Sequence, residues 1–203
     1  MFEINYFNVV IFALIFLSVF YIGSSLVKRS FIKFDFKKIL LYVTTFSLLG
    51  LVGEIFVNTS YAYVTGDQLW EYRLLPAHNG SVSYFFVFIW GSLGFYKYIS
   101  EIIFPKIVSL TPVAQGLLIG IEAIFIEILY NGLYFLVFND YIFYYFPDNL
   151  GFFAHLSCLQ VIPFYFLFGL AIAKILEQYQ YTSNSKSIII FYWLIIITLV
   201  WMV

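Results

Sequence analysis

The sequence predicts an all-α integral membrane protein built as a bundle of six transmembrane helices. Three observations support this prediction. The 203 residues are 63% hydrophobic and only 10% charged, a composition outside the range of soluble domains. Six hydrophobic runs are long enough to cross about 30 Å of hydrocarbon. Lysines and arginines are concentrated in every second connection between these runs.

The six spans are expected to form one polytopic domain covering residues 1–203, because no connection between them is long enough for a separate globular domain. The runs cover about 6–27, 39–64, 82–104, 112–138, 153–176 and 187–203. The segment before the first run is acidic, whereas signal peptides begin with positive charge. We therefore expect the first span to remain in the protein.

Nine of the ten cationic residues lie on one side of the predicted membrane. They are Lys28, Arg29, Lys33, Lys37, Lys38, Lys97, Lys106, Lys174 and Lys186. Only Arg73 lies on the other side. Cytoplasmic connections are enriched in Lys and Arg, so both termini are expected outside. The expected location is the bacterial cytoplasmic membrane.

Two acidic residues stand inside these apolar spans, and each is followed one helical turn later by an asparagine. They are Glu54 with Asn58 in the second span, and Glu127 with Asn131 in the fourth. A carboxyl group at the centre of a bilayer costs roughly 2.5–3.5 kcal/mol on insertion scales, and such residues are usually functional. Both spans run in the same direction, so the two carboxyls are expected at the same depth.

The two motifs belong to a longer repeat in which each residue recurs 73 positions further along the chain. A stripe of small residues, Glu, Asn and Tyr follows one helix face in both spans. The members are Ser47, Gly50, Glu54, Asn58 and Tyr61, and then Gly120, Ala123, Glu127, Asn131 and Tyr134. Each stripe precedes an aromatic segment and another span. We therefore expect a parallel two-helix repeat of spans 2–3 and 4–5, as in some transporters.

The pattern favours a cavity in which Glu54 and Glu127 are catalytic acid and base, oriented by Asn58 and Asn131. Which carboxyl is the acid stays open, and a purely structural polar clamp is the alternative. Aromatic and polar residues near the same depth are the expected substrate-binding residues. They are Tyr61, Trp70, Tyr72, Trp90, Tyr134 and His155. Glu122 faces a different side of its helix, toward another neighbouring helix or a second water path, and we expect it to be structural.

Several function classes are disfavoured by composition and motifs. A net charge of −1 provides no basic surface for nucleic acid. The single cysteine, Cys158, excludes an intrachain disulfide and a multi-cysteine metal site, and no nucleotide-binding or metalloprotease motif is present. We expect no cofactor and no metal. The expected partners are the lipid bilayer, a hydrophobic small molecule and, as an open alternative, a second copy of the chain.

From Glu54 to Tyr98 the chain resembles the EXPERA membrane domain of the emopamil-binding sterol isomerases. The resemblance is carried by Glu54, Leu69-Trp70-Glu71-Tyr72, Ile89-Trp90-Gly91-Ser92-Leu93 and the later run Leu129 to Phe135. It implies a helical bundle with a lipid-facing cavity, in which carboxylates shift a double bond through a carbocation shielded by aromatic faces. Gly50 and Ser83 stand where that family has His and Glu. The outline also resembles membrane carotenoid cyclases and hydratases, so the resemblance implies isoprenoid chemistry in general.

Two functions follow as hypotheses. The first is an intramembrane isomerase, cyclase or hydratase that moves protons on a hydrophobic isoprenoid, because proton transfer requires only acids and bases. The second is a small proton-coupled transporter or membrane substrate-binding subunit, since parallel repeats with matching polar residues occur in that class. A scaffold held together by its polar stripes is a third alternative.

Overall fold

The computed structural model describes residues 6–147, 154–179 and 185–201, and this part of the chain forms a bundle of six α-helices. The helices are α1 (Tyr6–Lys28), α2 (Phe36–Thr65), α3 (Phe86–Ile103), α4 (Pro112–Phe138), α5 (Ile162–Tyr179) and α6 (Ser185–Trp201). Short 3₁₀ helices, Pro105–Ser109 and Leu159–Val161, precede α4 and α5. The helical fold expected from the sequence is confirmed.

Four segments are long and apolar enough to cross a membrane. They are Phe7–Lys28, Phe36–Thr65, Pro112–Phe138 and Leu159–Tyr179. The α6 helix is apolar but shorter, and α3 carries Lys97 and Glu101 within its 18 residues. Many large apolar side chains are exposed on the outside of the bundle, including Leu14, Phe56 and Phe125, as expected for a surface that contacts lipid.

The connections at one end of the bundle contain short strands, which the sequence analysis treated as loops or as part of the third span. The strands are β1 (Trp70–Tyr72), β2 (Pro76–Ala77), β3 (Val82–Ser83) and β4 (Phe143–Tyr145). They form two antiparallel pairs, β1 with β4 and β2 with β3. We call this the strand end, and the opposite end, to which nine of the ten cationic residues are closer, the lysine-rich end.

The repeat of 73 residues seen in the sequence is reproduced in the hydrogen bonds. The α2 helix ends at Gly66 and α4 at Asn139, both with left-handed backbone conformations. Trp70 pairs with Tyr145 and Tyr72 with Phe143, so β1 and β4 face each other across a local two-fold axis. The repeat therefore extends beyond the predicted stripe, through the helix ends and into the strands.

Two helix pairs form the centre of the bundle, α2 with α3 and α4 with α5, and glycines allow each pair to approach closely. A Cβ added at Gly94 would lie 2.7 Å from the carbonyl oxygen of Tyr42 on α2. A Cβ at Gly169 would overlap with the backbone of Gly116 on α4. Close approach through small residues is the usual way for helices to pack in lipid. The α1 helix packs against α3, and α6 packs against α2.

The fifth span begins later than the sequence predicted. The described part of the connection ends with a 3₁₀ turn, and α5 starts only at Ile162. His155 and Ser157 therefore lie in the connection before the helix and not in its first turn. The beginning of the predicted span, residue 153, lies outside the described residues. This shift is important for the site because Ser157 contacts Glu127.

Candidate functional site

Glu54 and Glu127 lie at the junction of two chambers inside the bundle. The α2/α5 chamber has a volume of about 60 Å³, and the α3/α4 chamber has a volume of about 170 Å³. The residues that line both are Glu54, Tyr72, Trp90, Glu127, Phe143 and Tyr165. The two carboxyl groups are close enough to interact electrostatically. The structure thus brings the two predicted acids together, in an environment that is mainly aromatic.

Each carboxyl accepts a hydrogen bond from a tyrosine on one of the paired strands. The Tyr72 hydroxyl donates to Oε1 of Glu54. The Tyr145 hydroxyl donates to Oε1 of Glu127 over 2.5 Å. Tyr145 follows Tyr72 by the same 73 positions that separate the two glutamates. Burial raises the pKa of both tyrosine hydroxyls well above the ordinary value, so both remain neutral donors.

The two carboxyls differ in their remaining partners. Glu127 also accepts hydrogen bonds from Tyr165 (2.7 Å, to Oε1) and from Ser157 (2.8 Å, to Oε2). Oε2 of Glu54 is buried and has no hydrogen-bond partner among the described residues. The indole N–H of Trp90 is nearby and interacts with this carboxyl without forming a direct hydrogen bond. Glu127 therefore has three hydroxyl donors where Glu54 has one.

The hydrogen bonds that the asparagines form with described residues go to the connections after their helices and not to the glutamates, contrary to the orienting role expected from the sequence. The Asn58 amide donates to the carbonyl of Trp70 (3.0 Å) and to Ser81 Oγ (2.9 Å), and its oxygen accepts from the backbone N–H of Leu69 and Trp70. Both asparagine side chains bond to the connections that follow their helices, through backbone groups and, for Asn58, also through Ser81 Oγ. They hold β1 and β4 above the chambers, so we assign them a structural role.

The second asparagine makes the equivalent contacts. The Asn131 amide donates to the carbonyl of Phe143 over 2.8 Å, and its oxygen accepts from the N–H of Ile142 over 2.9 Å. Both bonds have counterparts at Asn58, 73 residues earlier. Asparagine is suited to this position because its side-chain amide matches a backbone peptide, with one acceptor and two donors. Tyrosines, and not the asparagines expected from the sequence, donate hydrogen bonds to the two carboxyls.

The six predicted substrate-binding residues divide into two groups. Trp70, Tyr72 and Trp90 line the chambers. Tyr61, Tyr134 and His155 do not line either of them. Tyr61 borders a separate surface depression beside Gly66, Tyr134 packs against aromatic rings of α1 and α4, and Nδ1 of His155 is 2.8 Å from the carbonyl oxygen of Tyr145.

Several contact residues were missed by the sequence analysis. Tyr145 could have been found from the repeat, since it is the counterpart of Tyr72. Tyr165 stands in an apolar run without a distinguishing pattern, and Ser157 is brought to Glu127 by a connection whose path the sequence does not reveal. Among the described residues, no group of three or more His, Cys, Asp or Glu side chains is arranged to hold a metal ion.

The size of the chambers limits what they can enclose. A cavity of about 150 Å³ holds one benzene molecule, so the α3/α4 chamber accommodates one ring or one five-carbon unit. A larger hydrophobic molecule could place only one segment beside the carboxyls. No family model, curated protein or solved structure matches this chain, so the residues and geometry of the site are the basis for its interpretation.

Proposed function

We propose that this protein is an intramembrane enzyme that moves protons on a hydrophobic isoprenoid. The observation that carries the proposal is the pair of buried carboxyls with unequal hydrogen-bond donors at the junction of two aromatic chambers. Two titratable groups in different environments are the usual basis for acid and base roles. The resemblance of the Glu54 to Tyr98 segment to isoprenoid-converting membrane enzymes supports the substrate class.

In the proposed reaction, Glu54 is the acid and Glu127 the base. Hydroxyl donors favour the ionised form of a carboxyl, and desolvation favours the neutral form. Glu127 has three such donors, which suits a proton acceptor, whereas Glu54 has one and suits a proton donor. Glu54 adds its proton to one carbon of a double bond, and Glu127 removes a proton from the carbon next to the resulting cation. The double bond moves by one position, and the substrate gains or loses no atoms.

The aromatic rings around the carboxyls suit the cationic intermediate. Trp90, Phe143 and Tyr165 line both chambers, and aromatic faces attract cations, most strongly when water is excluded. A cation held in this way reacts with water only if water enters. The same arrangement therefore serves an isomerase, a cyclase or, with a bound water as nucleophile, a hydratase.

We also propose that the lysine-rich end faces the cytoplasm of a bacterial cell, which places the strand end and both termini outside. The distribution of nine of the ten cationic residues supports this orientation. A hydrophobic substrate would reach the chambers from the bilayer. The proposed partners are thus the bilayer and the isoprenoid. A second copy of this chain is a further candidate partner.

The experiment is a comparison of lipid extracts from cells with and without the protein, analysed by mass spectrometry without a preselected target. Glu54→Gln and Glu127→Gln should each abolish the lipid change while the protein remains folded. Glu177→Gln, at an exposed position on α5, is the matched control and should retain full activity. Full activity in either chamber variant would reject the acid and base assignment.

A proton-coupled transporter is the second candidate, favoured by the repeat. Contacts of Glu54, Asn58 and the β1 strand recur 73 residues later, and repeated halves around a central site are typical of transporters. Sealed vesicles containing the purified protein separate the two functions. Solute accumulation driven by a proton gradient would support transport, whereas a modified lipid without flux would support the enzyme.

A further inference from the structure

A second buried polar cluster lies on α3, nearer the lysine-rich end than the two chambers, with neighbours on α2 and α4. Its central residue is Lys97, whose side chain is only 1% exposed. The Lys97 Nζ is 4.0 Å from Oε1 of Glu101 and has no hydrogen-bond partner among the described residues. A buried lysine is expensive unless it is paired and fully hydrogen-bonded, so this residue requires an explanation beyond packing.

The cluster reaches solvent on one side through Glu101. Oε2 of Glu101 accepts a hydrogen bond of 2.5 Å from the Tyr42 hydroxyl of α2. The same oxygen is 4.0 Å from Nζ of Lys38, whose side chain is 48% exposed. The Tyr98 ring packs against Tyr42 at this position. Polar groups therefore extend from the solvent at the lysine-rich end to the buried Lys97.

On its other side the cluster reaches the chambers through Glu122 and Tyr96. The Glu122 carboxyl on α4 lies close enough to Lys97 and Tyr96 for an electrostatic interaction with both. Tyr96 lines the α3/α4 chamber, which Glu54 and Glu127 also line. Titratable side chains thus occur one after another between the lysine-rich end and the chamber that contains the carboxyl pair.

Three of the four residues have no titratable counterpart in the other half of the repeat, and the counterpart of Glu101 is Lys174, an exposed residue. The residue 73 positions before Glu122 is Leu49, and the residues 73 positions after Tyr96 and Lys97 are Gly169 and Leu170. The α4–α5 pair nevertheless packs as closely as the α2–α3 pair. Helix packing in the repeat therefore does not require these charges, which makes a purely structural role a poor explanation.

We propose that Glu101, Lys97, Glu122 and Tyr96 form a proton path from the lysine-rich end to Glu54 and Glu127. The inference rests on the proposed proton chemistry of that pair. A proton moves between side chains in hydrogen-bonding reach or through one water molecule. Each proton taken up at Glu101 is delivered to the chamber through Tyr96, and each proton released by the pair leaves in the reverse direction. A proton that arrives along the path reprotonates Glu54 after it has protonated the substrate, and a proton that leaves along the path restores the carboxylate of Glu127.

The test follows protonation of the pair without any substrate. Purified protein is reconstituted in sealed vesicles, and vesicles with the lysine-rich end outside are selected by the protection of a C-terminal tag. After a pH jump in the external buffer, time-resolved infrared spectroscopy follows the carboxyl bands that Glu54→Gln and Glu127→Gln remove. Glu122→Gln and Tyr96→Phe should slow the response by about tenfold or more. Glu122→Asp should restore most of the rate, and Glu177→Gln should have no effect.

The outcomes separate failure of the path from failure of the proposed function. A wild-type response rate in Glu122→Gln or in Tyr96→Phe would overturn the path and leave the function of the pair intact. Tyr96→Phe preserves the ring and its contact with Phe20, so it provides the test if Glu122→Gln does not fold. Carboxyl bands that do not respond in the wild type would overturn both proposals. A normal response without any lipid product would overturn the enzyme function alone.

Discussion

Replacement of the two asparagines by alanine tests whether they hold the strands or orient the carboxyls. In the structure Asn58 forms four hydrogen bonds with the segment that follows α2, of 2.8, 2.9, 3.0 and 3.3 Å. Asn131 forms two with the segment that follows α4, of 2.8 and 2.9 Å. Both side chains are at most 1% exposed, so the amides bond to their partners away from bulk water.

The loss of stability expected for each variant follows from the number of hydrogen bonds that its asparagine forms. A hydrogen bond contributes about 0.5–1.5 kcal/mol net to stability, and a buried partner left unsatisfied adds to the loss. Asn58→Ala should therefore lower the free energy of unfolding by about 4 kcal/mol and Asn131→Ala by about 2 kcal/mol. Thr59→Ala, at the exposed neighbouring position, should change it by no more than about 0.5 kcal/mol.

The assay is reversible unfolding of the purified variants in mixed detergent micelles, followed by circular dichroism and tryptophan fluorescence. The larger loss at Asn58 than at Asn131 is the critical result. Equal losses, or a larger loss at Asn131, would refute the assignment of these hydrogen bonds. Variants that unfold like the wild type but lose the lipid activity would instead support the orienting role expected from the sequence.

Three further predictions concern packing and titration. Gly50→Ala should destabilise the protein by about 1–3 kcal/mol because the added Cβ would overlap with the indole of Trp90. Gly53→Ala is the matched control. A Cβ at Gly53 meets nothing within 4 Å, so this variant should be more stable by up to about 1 kcal/mol. Cys158 is 1% exposed and burial raises its pKa to about 12, so maleimide should label it only after denaturation. Burial raises the pKa values of Tyr72 and Tyr145. Above about pH 10 these two hydroxyls therefore ionise only in the unfolded chain, so the free energy of unfolding should fall as pH rises further. Replacement of either tyrosine by Phe should weaken this pH dependence.

The central features of the site could be predicted from the sequence because they depend on helical periodicity and on the repeat. The carboxyl pair is an example, since helix geometry alone places residues of one stripe on one face. The pairing of β1 with β4 was not predictable, because three residues are too few to show alternation. Amide hydrogen bonds to distant backbone, such as those of Asn58, also depend on where a connection turns.

The burial of Lys97 is another feature that could not be predicted from the sequence. Its position near the end of a span made it an ordinary cytoplasmic cation in the sequence analysis, because lysines near helix ends usually extend to the interface. In the structure it is buried, and its Nζ is 4.0 Å from the carboxyl of Glu101. The contacts between helices determine this burial, and a single sequence without tertiary contacts contains no signal for it.

A double-mutant cycle on the two carboxyls tests most directly the claim that they share one enclosed site. The free energy of unfolding is measured for the wild type, Glu54→Gln, Glu127→Gln and the double variant under identical conditions. Groups that share a contact network deviate from additivity by about 0.5–3 kcal/mol, whereas distant groups add within about 0.3–0.5 kcal/mol. We predict a deviation of more than about 0.5 kcal/mol. Strict additivity would contradict a shared chamber and, with it, the proposed division of acid and base roles between the two groups.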